Sequence, residues 1–173
     1  MNLRITGVLL LALLGALGAR AEPVSRREVL AAIAVLEKDI TSPEVPPAAE
    51  MVTRYGRESD EVLLIVGPAT LPWVQMDAPA AEARARILLM AVYFAGDIKS
   101  QLQQGRPADD PYAGWQAVIR AYRQFHRKQP DLVIPEVEEL IKKDRAGTLK
   151  QEAEDVLKQQ KEDQRQERAR NMI

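Results

Sequence analysis

The chain has 173 residues, 24 basic and 25 acidic side chains, one histidine and no cysteine. That length holds one ordinary domain, or a domain and a tail, and 46% hydrophobic residues is a globular composition. A formal net charge of -1 argues against nucleic acid as a partner, because such binding rests on neutralising many phosphates. Without cysteine there is no disulfide, thiol nucleophile or thiolate metal site, and the lone His126 supplies no cluster for zinc or copper. No metal or other cofactor is therefore expected.

Residues 1–21 read as a secretory signal peptide. Arg4 is the positive start, residues 5–17 form an apolar stretch, and Ala19-Arg20-Ala21 is a small-x-small cleavage pattern. The apolar stretch is short for a bilayer, which needs about 20 residues, so cleavage near Ala21 is expected over retention as an anchor. Glu22 would then start a mature chain in a bacterial periplasm or outside the cell. No later segment is apolar enough to span a membrane.

Helical period dominates after residue 24. Ser25 and Glu28 fit a capping box, and Val29, Ile33, Leu36 and Ile40 follow on one face. Pro43 stops this helix, and Pro46-Pro47 opens a second, with Ala48, Val52 and Tyr55 inward. Residues 62–66 fit either a continued helix or a minor short strand, closed by Gly67-Pro68. An apolar connector then lays Trp73 over the core.

A third helix is predicted over 80–104, with Ile87, Ala91, Phe94, Ile98 and Leu102 on its inner face and Asp97, Lys99, Gln101 and Gln103 elsewhere. Gly105 ends it. Asp109 or Asp110 caps a fourth helix, which runs to about residue 128 and buries Trp115, Val118, Ile119, Tyr122 and Phe125. A fifth, shorter helix carries Val137, Leu140 and Ile141. Residues 149–173 form a charged, fraying helix too polar for a coiled coil. The chain divides into a leader at 1–21, a helical domain at 22–148 and this tail. The expected class is all-α, with five to six helices in antiparallel hairpins, as an irregular bundle or short array. The small residues Ala91 and Ala95 on the third helix should face Ala113, Ala117 and Ala121 on the fourth, with Gly96 at the seam.

Candidate chemistry is sparse. His126 ends the fourth helix, where a cation suits the dipole. Asp109 and Asp110 with Asp97 would be too few oxygens for a hard cation, and capping explains the first two. Glu136, Glu138 and Glu139 with Glu58 or Asp60 would offer the two carboxylates of a glycosidase, but acidic residues also suit a helix start. Arg120, Arg123, Arg127 and Lys128 make a basic stripe on the outer face of the fourth helix, suited to an acidic protein surface or another anionic surface. Trp73 and Trp115 would either floor a ligand pocket or fill the core. Phosphate-binding glycine loops, nucleophile elbows and His-Glu-x-x-His are absent.

The sequence points to an exported helical protein that binds a protein partner or builds the cell envelope, with peripheral contact to an anionic surface as a further partner class. A carrier of a small apolar or amphipathic ligand is the alternative, and a carboxylate-dependent cell-wall hydrolase ranks third.

Overall fold

In the computed structural model, which describes residues 22–74 and 80–170, six α-helices follow one another and no strand occurs among the described residues. The expected leader at 1–21 lies outside the described residues.

Helix α1 spans Arg26–Lys38. Its capping box is complete: Ser25 Oγ accepts from the Glu28 amide at 3.3 Å, and the Glu28 carboxylate accepts from the Ser25 amide at 2.8 Å. Helix α2 spans Val45–Glu58 with prolines in its first turn, where no intrahelical donor is lost. Helix α3 spans Ala80–Gln104 and stops at Gly105, whose φ of 67° is left-handed and suits glycine. Helix α4 spans Pro111–Lys128, capped by Asp110, whose carboxylate accepts from the Ala113 amide at 3.1 Å. Helix α5 spans Pro135–Arg145, and α6 spans Leu149–Arg170.

Helix α3 is the axis of the molecule. It packs most extensively on α4, while the α1–α2 hairpin lies across its other side and α5 and α6 close over α4. The α3–α4 seam is set by small residues, as the sequence predicts. A Cβ on Gly96 would stand 2.5 Å from the Ala113 carbonyl oxygen and 2.7 Å from the Ala117 Cβ. One on Gly114 would stand 2.5 Å from the Tyr93 ring. The missing methyl groups let the two backbones close, and the bulky side chains flank the contact.

Three expectations need correction. Residues 62–66 are neither helix nor strand. Their backbone groups find side-chain partners on α3 and the α3–α4 loop, which removes the need for a ladder. Ile87 is 61% exposed and is not part of the core. Asp97 and Gln101, expected outside, are both 0% exposed. Because α3 is covered on several sides, a one-face pattern misassigns it; Leu89, Val92 and Tyr93 are buried as well.

Trp73 and Trp115 are interior residues, at 0% and 1% exposure. The Trp73 ring sits 6.2 Å from Tyr93, tilted by 58°. Trp115 donates from Nε1 to the Thr70 carbonyl at 2.8 Å, which ties the connector to α4.

Candidate functional site

Tyr93, Asp97 and Gln101 repeat every fourth residue and so form one stripe along α3. The stripe faces the connector after α2 and the loop before α4. Gln101 Nε2 donates to the Leu63 carbonyl at 2.8 Å, and its Oε1 accepts from the Leu63 amide at 2.8 Å and the Ala108 amide at 2.9 Å. One side-chain amide thus pairs with Leu63 as a neighbouring strand would. Gln101 Nε2 also donates to Asp97 Oδ1 at 2.8 Å, and the Asp110 amide donates to the same oxygen at 2.9 Å. Asp109 Oδ1 accepts from the Ile65 amide at 3.0 Å.

This leaves Oδ2 of Asp97 and Oδ2 of Asp109, both buried and with no hydrogen-bond partner among the described residues. The two carboxyl groups are electrostatic neighbours: the charge of Asp109 disfavours a second charge on Asp97, which keeps its proton. Burial, and then the charge of Asp109, push the Asp97 carboxyl up to about 9. Asp109 is also raised, chiefly by burial. Tyr93, beside them, has its phenol pushed up by burial and by the carboxylates of Asp109, Asp97 and Asp110.

A carboxyl pair with one retained proton is the composition of a general acid and base. Here it lacks access. Asp97 and Asp109 are 0% and 8% exposed, and neither lines any of the surface cavities described below. Two of their four oxygens are committed to backbone and Gln101 donors. The arrangement is a clasp that closes the connector onto the α3–α4 hairpin. Of the two candidate caps Asp109 and Asp110, Asp110 alone caps α4, and among the described residues no group of three or more metal-ligating side chains comes together.

Glu136 and Glu58, which would offer the two carboxylates of a glycosidase, do not meet. Glu136 is 3.0 Å from Arg86 near the start of α3. Glu58 ends α2 beside Arg54 and Arg57, five residues before Leu63 joins Gln101 near the other end of α3. The 15 residues between Arg86 and Gln101 are about 22 Å of helix. Arg86 is a second internal tie: 5% exposed, it donates to Glu82 at 3.0 Å, Glu136 at 3.0 Å and the Trp73 carbonyl at 2.8 Å.

Arg120, Arg123, Arg127 and Lys128 are all exposed on α4. They are not equivalent. Lys128 is bound to Asp39 at 3.1 Å and to the Thr41 hydroxyl, fastening α4 to the end of α1. Asp39 is held down to about 2 by the Thr41 hydroxyl and amide and by Lys128. Arg123 is 3.9 Å from Asp144. Arg127 makes no ion pair among the described residues, nor does Arg145 of α5. Arg123, His126, Arg127 and Arg145 line an open groove of about 410 Å³ with Glu138 on its wall. His126 stacks on Tyr122 with ring centroids 6.0 Å apart. Arg120 instead borders a small recess of about 70 Å³ between α1, α3 and α4.

A second open groove, of about 450 Å³, runs between α2 and α3. The sequence pattern does not reveal it, because one-face periodicity puts the exposed Ile87 in the core. Comparison with protein-family models, curated proteins and solved structures finds no match to this chain.

Proposed function

We propose that this chain is an exported helical module of the cell envelope that holds a protein partner and does not make or break bonds. The observation that supports it is the basic groove at the ends of α4 and α5. Arg127 and Arg145 stand there beside Arg123 and His126 with no internal carboxylate assigned to them, so their charge is free to meet an acidic partner surface. Exposed charges of this kind contribute mainly to the rate and specificity of encounter. The buried Asp97–Asp109 pair is spent on closing the fold, which favours surfaces as the means of action.

A photoreactive residue at position 127 of the exported chain tests this directly in cells. The expected result is a protein adduct that is lost when Arg123 and Arg145 are changed to Glu, and that weakens as ionic strength rises. An adduct unaffected by charge reversal, a lipid adduct alone, or no adduct would overturn it.

A further inference from the structure

We propose that the groove between α2 and α3 receives an amphipathic helix of a partner protein whose apolar stripe is bordered by carboxylates. Its floor is built from Ala49, Leu88, Met90 and Ala91, with Ile87 standing on the edge at 61% exposure. Its lining includes three arginines, Arg54 and Arg57 from α2 and Arg84 from α3, against the single carboxylate of Glu50. Arg54 and Arg57 share Glu58 as their ion-pair partner, at 3.9 and 3.0 Å. Arg84 is exposed and has no ion pair among the described residues.

Size and shape favour a helix. The lining spans Pro46 to Arg57, about 16 Å along α2, and Arg84 to Ala91, about 10 Å along α3, which matches two to three turns of a helix. The groove lies open along its length, so it would leave an acyl chain wet, whereas a helix buries one face and keeps the other in water. A second copy of this chain docked symmetrically would place the same arginines against each other. Helix α6 of a second copy carries no large apolar residue after Leu157 until Met172, so it lacks the stripe required. This surface is separate from the basic groove of α4 and α5, so each proposal stands or falls alone.

The test uses the full chain and a fluorescein-labelled helical peptide of about three turns, with leucines on one face bordered by glutamates. A matched peptide has lysines in place of the glutamates. Fluorescence anisotropy should show the glutamate peptide binding at least about tenfold more tightly than the lysine peptide. Arg84→Glu should weaken it about fivefold or more, and Ile87→Glu about tenfold; both sites are exposed, and circular dichroism checks that the fold is kept. Equal binding of the two peptides, or binding untouched by both substitutions, would refute the proposal. So would displacement of the peptide by micromolar laurate, which makes the groove a lipid site, or a dimer in light scattering that Ile87→Glu dissolves.

Discussion

Replacing Asp97 with asparagine isolates the proton held in the clasp. Asparagine keeps Oδ1 as acceptor for Gln101 and the Asp110 amide and replaces the titrating oxygen with a neutral amide. In the parent, Asp97 titrates at an ordinary 3.8 when unfolded and near 9 when folded. Between those values the folded chain keeps a proton that the unfolded chain has released. Stability therefore falls as pH rises, by about 1.4 kcal/mol per pH unit, and levels off above about pH 9. Asp109, also raised, acts with the same sign. Glu28 and Asp39 are lowered and act with the opposite sign, but only in acid. With a urea dependence of about 2 kcal/mol per molar, the unfolding midpoint of the parent should drop by about 1.4 M between pH 6 and 8. Asp97→Asn should show a clearly shallower fall over the same range and exceed the parent at pH 8. A flat parent profile, or the same slope in the variant, would refute the retained proton.

Other outcomes follow from the packing. Gly96→Ala should cost about 2 kcal/mol by forcing α3 from α4, lowering the thermal midpoint by about 6 °C, while Gly67→Ala, with nothing within 4 Å, should stay within about 0.5 kcal/mol of the parent. Arg86→Ala should destabilise by about 3 kcal/mol in urea titration, because Glu82 and Glu136 lose their shared cation and Trp73 a donor. N-terminal sequencing of exported protein should begin at Glu22; a sequence starting at Met1 would exclude cleavage after Ala21.

The helices were legible because their signals are local. The capping box at Ser25, the prolines opening α2, α4 and α5, and Gly105 after α3 mark boundaries with residues that act on their own neighbours. The alanine and glycine seam was legible too, since a short loop forces α3 and α4 together. The clasp was not. Asp97 and Gln101 are polar residues in an apolar helix, and sequence periodicity assigns such residues to solvent. Their partners at Leu63, Ala108 and Asp110 are backbone groups that carry no side-chain signature. The available clue was the scarcity of pairing partners for residues 62–66, which left their amides in need of acceptors from elsewhere. The basic stripe was placed correctly on the surface of α4, but its division into structural and free charges depended on Asp39 and Asp144, distant in sequence.

Amide hydrogen exchange at Leu63 and Ile65 tests the central claim that the buried polar stripe of α3 is a fold-closing clasp. These amides lie outside any helix or strand, yet they donate to Gln101 and Asp109. They should exchange as slowly as core helix amides in the parent and at near-loop rates in Gln101→Ala. Fast exchange at both amides in the parent would mean that the connector stands open, leaving the acidic pair within reach of solvent and substrate.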